Sequence, residues 1–216
     1  MAGTDRGGLV QLLDSSAIGG IETHVQHLAE ALARRGRDVE VWFLQDHGPH
    51  PVRSRLRRHG IPCRCLAGGP GALSAELRAA RPRLLHTHGY KAGILGRLAG
   101  RATGTPVAST FHAGEPGRGR VWWYQLADRL TAPLAGLRIA VSAPVADRLP
   151  GAAQVVPSFV PVPPHPACGD GRIAFVGRLS HEKGADLFVS AARRFPGTSF
   201  HVYGDGPERP RLARSA

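Results

Sequence analysis

LVQLLDSSAIGGIETHVQHLAEALARRG, residues 9–36, decides the fold. Leu9-Val10-Gln11-Leu12-Leu13 is a short apolar run that closes on Asp14-Ser15-Ser16. After Gly19-Gly20 the period changes. Ile21, Val25, Leu28, Ala29 and Leu32 keep helical spacing, while Glu22, Gln26, Glu30 and Arg34 lie elsewhere. Gly36 supplies the stop. A strand, a glycine loop and a helix in that order begin a βαβ unit.

Working outward, the same grammar repeats. Strands are expected at Val39–Leu44, Cys63–Leu66, Leu84–His88, Val107–Phe111, Arg138–Val141 and Gln154–Val156. Helices are expected at Ala72–Ala80, Ala92–Ala102, Val121–Leu134 and Val145–Leu149, the third limited by Pro133. Strands separated by helices of this length imply an α/β fold with a mostly parallel, doubly wound sheet. Residues 1–157 are read as one complete Rossmann-like domain. The proline-rich stretch from Pro157 to Pro166 reads as a linker, placed at 158–170. A new unit follows at 171–216, with strands at Ile173–Val176 and Phe200–Tyr203, a helix at Asp186–Phe195 and a last short helix. Two strands and about one and a half helices cannot bury both faces of a doubly wound sheet, so this second domain reads as incomplete.

The chain has 216 residues and a formal net charge of +12. All of its 28 basic residues except Lys91 and Lys183 are arginine. The basicity has two readings: a codon bias shared with the abundant Ala, Gly and Pro, or attraction to phosphates and anionic membrane surfaces. Arginines scattered over many elements, with no interleaved aromatic series, argue against nucleic acid. Cys63, Cys65 and Cys168 form neither a disulfide framework nor a zinc signature, which suits a reducing cytoplasm. Neither a signal h-region nor a bilayer-spanning stretch is read in the sequence.

Open parallel sheets bind ligands beyond the carboxyl ends of their strands. Four segments fall there. Gly19 and Gly20 let backbone approach a ligand, and the helix start behind them favours an anion. The loop lacks the G-x-G-x-x-G dinucleotide fingerprint. His86 and His88 share a strand face but lack a third ligand at a suggestive spacing, so no metal is expected. His86 reads as a buried, hydrogen-bonded residue; His88, beside Gly89, Tyr90 and Lys91, reads as facing the cleft. His112 ends an apolar strand, and Glu115 in the same loop is placed to contact a hydroxyl. Trp122, Trp123 and Tyr124 follow at spacing more typical of core or interface than of sugar stacking. Finally, Gly177-Arg178-Leu179-Ser180-His181-Glu182-Lys183-Gly184 sets two cations on one glycine-flanked turn, suited to a departing diphosphate.

Together these segments resemble the family-4 glycosyltransferases, retaining enzymes of the GT-B fold. The resemblance rests on Gly19-Gly20-Ile21-Glu22, His86-Thr87-His88-Gly89, Ser109-Thr110-Phe111-His112, Ile139-Ala140-Val141-Ser142, Val176–Gly184 and Gly204-Asp205-Gly206-Pro207, in that order. It implies two Rossmann-like domains with the active site between them, acceptor on the N-terminal side and nucleotide-sugar on the C-terminal side. By it, Gly19, Gly20 and Gly177 approach the donor, His112 contacts the transferred sugar, and Arg178 and Lys183 stabilise the leaving diphosphate. His88, Tyr90, Lys91 and Glu115 fall on the acceptor side. No cofactor and no metal are implied. The expected substrates are a UDP- or GDP-sugar and a glycan or lipid-linked acceptor, in cell-surface polysaccharide or glycolipid synthesis. The expected place is cytoplasmic, peripheral to the inner face of the plasma membrane.

Two departures stand out. Ser158-Phe159-Val160-Pro161 replaces the family's Asn-Gly-(Val/Ile)-Asp. The family's Glu-x7-Glu, which holds the sugar and ribose hydroxyls, is expected after Gly204–Pro207, and the 216 residues finish first. The chain is thus expected to be C-terminally truncated. The competing class is a non-catalytic sugar- or nucleotide-binding module.

Overall fold

The structure, a computed structural model, describes residues 7–66, 70–112, 119–162, 169 and 171–215. It divides into two compact units, Met1–Pro161 and Val162–Ala216.

The first unit alternates strands and helices: β1 (Gly7–Leu13), α1 (Gly20–Arg34), β2 (Val39–Phe43), α2 (Pro51–Arg58), β3 (Cys63–Cys65), α3 (Pro70–Ala80), β4 (Pro82–His88), α4 (Tyr90–Thr103), β5 (Val107–Phe111), α5 (Arg120–Thr131), β6 (Leu137–Ala140), α6 (Ala143–Ala146) and β7 (Gln154–Val155). The strands form one parallel sheet in the order β3-β2-β1-β4-β5-β6-β7. The order reverses between β1 and β4, and that reversal opens a crevice at their carboxyl ends.

Both faces of the sheet are buried, as a parallel sheet requires. Side chains alternate along each strand, so Leu12 and Leu13 serve opposite faces. Leu12, Trp42, Leu85 and Val107 pack with Leu73, Leu77 and Ala99 of α3 and α4. Leu13, Val41 and Phe43 pack with Val25 and Ala29 of α1 and with Val52 and Leu56 of α2.

α2 is absent from the sequence reading. It carries Arg53, Arg55, Arg57 and Arg58, and only Val52 and Leu56 are buried, so its periodic signal is weak. Pro51 at the first helical position and His50 as cap start it. The long helix expected to reach Leu134 ends instead at Thr131, where Pro133 turns the chain into a 3-10 segment, Ala132–Leu134. Trp122, Trp123 and Tyr124 are not core: all three are exposed, Trp123 by 66%.

The second unit holds β8 (Ile173–Val176), a 3-10 turn (His181–Lys183), α7 (Ala185–Ala192), β9 (Phe200–Tyr203) and α8 (Arg209–Ser215). β8 and β9 pair in parallel. Leu179, Ala185, Val189 and Leu212 form its core, with Phe175 packed against them.

Candidate functional site

The crevice of the first unit holds a cavity of about 360 Å³. Its lining comes from the carboxyl ends of β1, β4 and β5: Asp14, His88, Tyr90, Lys91 and His112, with Tyr124 from α5. The topology puts these side chains together because Asp14 follows β1, His88 ends β4, Tyr90 and Lys91 open α4, and His112 follows β5, all beside the switch point.

The floor is a cluster of histidines. His88 ends β4 and is 1% exposed, while His112 follows β5 and is half-buried. Nδ1 of His88 lies 3.2 Å from Nε2 of His112. His24 of α1 packs over both, with ring centroids 5.7 Å from His88 and 5.1 Å from His112. His86 stacks beneath His88 at 4.2 Å, its Nε2 2.7 Å from Thr110 Oγ1.

Burial, reinforced by neighbouring imidazoles, holds this cluster neutral. It lowers His112 to about 4 and His86 to about 3, and drives His88 well below the ordinary histidine value. His24 is lowered too, by burial first and by His27 second. At neutral pH each ring therefore offers one N–H donor and one lone pair.

Two ion pairs frame the cavity. Lys91 Nζ lies 2.9 Å from Asp14 Oδ2 and donates to Gln45 Oε1 at 2.8 Å. His47 Nε2 meets the other Asp14 oxygen at 3.1 Å. Further along α4, buried Arg97 donates to Asp128 Oδ1 at 2.6 Å and to Ser109 Oγ at 3.3 Å. Burial raises the Asp128 carboxyl, and the Arg97 guanidinium opposes that rise. Gly93 leaves room for this arginine: a Cβ there would stand 2.8 Å from its guanidinium. Tyr90 is oriented by Gln125, whose Nε2 donates to the phenol oxygen at 3.1 Å.

The loop into α1 is braced from behind. His50 Nδ1 accepts from Val52 N, which leaves its Nε2 as the protonated nitrogen. That nitrogen then donates toward Ala17 O at 3.3 Å and Ser15 Oγ at 3.2 Å. Gly19 caps α1 without a side-chain bond, and both Gly19 and Gly20 are exposed. A Cβ on Gly20 would meet open space, so packing does not dictate glycine there.

In the second unit the turn after β8 is held by backbone. Gly177 N donates to Tyr203 O at 3.0 Å, Leu179 N to Asp205 O at 2.9 Å, and Glu208 N to Leu179 O at 3.0 Å. Gly204 and Gly206 sit directly against Gly177 and Leu179, where no Cβ fits. Arg178 and Lys183 are exposed, and neither enters an ion pair among the described residues.

The structure thus brings His88, Tyr90, Lys91 and His112 to one cavity, with Gly19 capping α1 and Gly20 as its first residue. Gly177, Arg178 and Lys183 lie together in the second unit. Glu115 lies outside the described residues. Sequence reasoning missed Asp14, His24, His50 and the Arg97–Asp128 pair. Asp14 was findable, since it directly follows a strand at the carboxyl edge. His24 was not, because only the packing of α1 on β4 makes it a neighbour of His88.

Solved structures place the fold among GT-B proteins. HepE from Anabaena, solved with UDP, superposes with a TM-score of 0.76 at 16% identity, over 96% of this chain and 65% of that one. MurG from Acinetobacter baumannii gives 0.58 at 14% identity, over 96% and 63%. The chain belongs to Glycosyltransferase Family 4, whose family model matches residues 18–165. Among curated relatives, glycogen synthase of Mycobacterium tuberculosis is 25% identical over 92% of this chain. The D-inositol 3-phosphate glycosyltransferase of Acidothermus cellulolyticus is 29% identical over 83%. The chain spans 61% and 51% of the lengths of these two relatives.

Proposed function

We propose that these residues serve a retaining glycosyl transfer from a UDP- or GDP-sugar to a hydroxyl of a glycan or lipid-linked acceptor. The observation that carries it is the turn at Arg178 and Lys183: two exposed cations at the carboxyl end of a parallel strand, without ion-pair partners among the described residues. Breaking the donor's glycosidic bond builds negative charge on the departing diphosphate, and preplaced cations stabilise it most as that charge grows. The cations take the part a metal plays elsewhere, so the reaction needs no bound metal. The acceptor side is the cavity of the first unit. There the Asp14–Lys91 pair and Tyr90 offer hydroxyl-binding groups, and the neutral His112 supplies a donor or acceptor to the sugar. The acceptor hydroxyl attacks on the face the diphosphate leaves, which retains configuration. Relatives named as glycosyltransferases and a neighbour solved with UDP support this reading. The full reaction is proposed for a protein built on these residues.

Calorimetry with UDP and GDP tests it. One nucleotide binds, and Arg178→Ala or Lys183→Ala weakens binding by roughly tenfold to a hundredfold, the worth of a charge-assisted hydrogen bond. Absence of binding at millimolar concentrations of either nucleotide refutes the reading. Binding without transfer to any acceptor favours a non-catalytic module instead.

The proposed acceptor sits at a membrane face. Among the described residues no helix is long and apolar enough to cross one. However, α5 exposes Val121, Trp122, Trp123 and Leu130 beside Arg120 and Arg129, a composition suited to an anionic interface. The protein floats with anionic liposomes at low salt; failure to float removes this placement, and with it the cytoplasmic membrane face as the site of cell-surface glycan synthesis.

A further inference from the structure

The histidine cluster supports a second inference, separate from the nucleotide-binding turn at Arg178 and Lys183. We infer that His24, His88 and His112 form a binding site for a divalent ion of the zinc class. One ring nitrogen from each lies within 4.8 Å of the other two. In a tetrahedral zinc site with Zn–N bonds of 2.0–2.1 Å, ligand nitrogens stand about 3.3 Å apart. Nδ1 of His88 and Nε2 of His112 already stand 3.2 Å apart.

Three features fit a metal better than they fit an ordinary buried polar cluster. First, the rings are held by separate elements, α1, the end of β4 and the residue after β5, so the site is assembled by the fold. Second, Nδ1 of His24 is buried without a hydrogen-bond partner. Buried ring nitrogens left unmatched are costly, and a site that uses some of the cluster's lone pairs gives that burial a purpose. Third, three imidazoles with an open side make a three-ligand zinc arrangement, and here the open side is the cavity.

The donor set also selects. Imidazole nitrogen suits zinc, cobalt, nickel and copper, whereas magnesium and calcium take oxygen. The two carboxylates that line the cavity are engaged elsewhere, Asp14 with Lys91 and Asp128 with Arg97. On binding, the hydrogen bond between His88 and His112 is replaced by two N–metal bonds. The ring that donated it carries its proton on the opposite nitrogen, so no proton is lost. Such an ion has no part in stabilising the diphosphate, a task the proposed reaction gives to Arg178 and Lys183.

Cobalt titration of the tag-free chain, after chelator treatment, tests the site. One equivalent of Co²⁺ produces the intense visible absorption of a four-coordinate nitrogen site, Zn²⁺ abolishes it, and excess Mg²⁺ leaves it unchanged. His24→Gln and His112→Asn each remove the signal, while circular dichroism shows both variants folded. His112→Asn, in a half-buried loop, keeps the test decisive should His24→Gln fail to fold. The double substitution Cys63→Ser with Cys65→Ser leaves the signal intact. The inference is overturned by the absence of the visible bands, by their survival in His112→Asn, or by a thiolate charge-transfer band that vanishes with the cysteines. None of these outcomes bears on nucleotide binding, so the two readings fail separately.

Discussion

The two units are built from the same strand-loop-helix grammar and make their candidate chemistry in opposite ways. In the first, seven strands are covered on both faces, and the side chains of interest are buried. His88, His86 and Arg97 lie almost wholly out of water, and burial sets their behaviour. In the second, two strands leave Ile173, Val176 and Tyr203 open, and the cations of interest stay in water. There the backbone does the work: Gly204 and Gly206 pack against the β8 turn and fix where Arg178 starts. Desolvation makes one site and placement makes the other. The contrast breaks if the first unit proves insensitive to what burial does to charge.

Acid is the largest lever. The folded-state values of His86 and His112, about 3 and about 4, lie below the ordinary 6.5, and His88 is lowered as well. Between pH 6.5 and those values the unfolded chain binds more protons than the folded one, so stability rises with pH. The stabilisation is complete above pH 6.5 and is lost as pH falls toward 4. His86 and His112 each cost about 1.4 kcal/mol for every pH unit between 6.5 and their own folded values, and His88 adds in the same direction. Together they outweigh any single substitution. Hydrogen exchange, read separately for the two units, should show the first losing protection from pH 6.5 downward. Among the described residues the second unit holds no comparable buried histidine cluster, so its protection should not follow. Equal losses in both units would show that burial is not the source.

Next in size is the Arg97–Asp128 pair. Arg97→Leu leaves the Asp128 carboxylate buried without its partner, and breaking a buried pair costs about 3–5 kcal/mol. Denaturant unfolding followed by exchange should place that loss in the first unit alone. Restoration by the double substitution Arg97→Leu with Asp128→Leu would identify the unpaired charge as the cause. A single substitution within 1 kcal/mol of the parent chain, on the scale of a surface change, would mean that water reaches the pair.

What the sequence showed follows the same division. The parallel sheet was legible because apolar runs and helical periods are local, and Gly36, Pro82 and Pro133 mark the ends. The carboxyl-edge rule then located His88, His112, Arg178 and Lys183 without knowledge of contacts. α2 was hidden because four arginines mask a helix anchored by Val52 and Leu56 alone. His24 was hidden because its meaning comes from helix packing, and His50 because its bonds to Ser15 and Ala17 span more than thirty residues. Arg97 looked like any arginine on a helix until the fold closed over it. Local pattern announces elements and their edges; it does not announce which polar side chain the core will enclose.

The smallest effect is the most pointed for the second unit. Val176 ends β8 and is 78% exposed, although strands of parallel sheets are usually covered on both faces. Val176→Thr keeps the β-branch and replaces one methyl with a hydroxyl. On an open strand the change should cost within about 0.5 kcal/mol, the range of ordinary surface substitutions. Under cover, the new hydroxyl would need a partner it lacks, and the cost would rise to about 1–3 kcal/mol. A near-zero change in the unfolding midpoint therefore confirms that water meets this face, and that Arg178, two residues on, is presented from an open edge. A loss above 1 kcal/mol would mean that something packs on β8 in solution. The second unit would then owe its site to burial as the first does, and the contrast between them would fall.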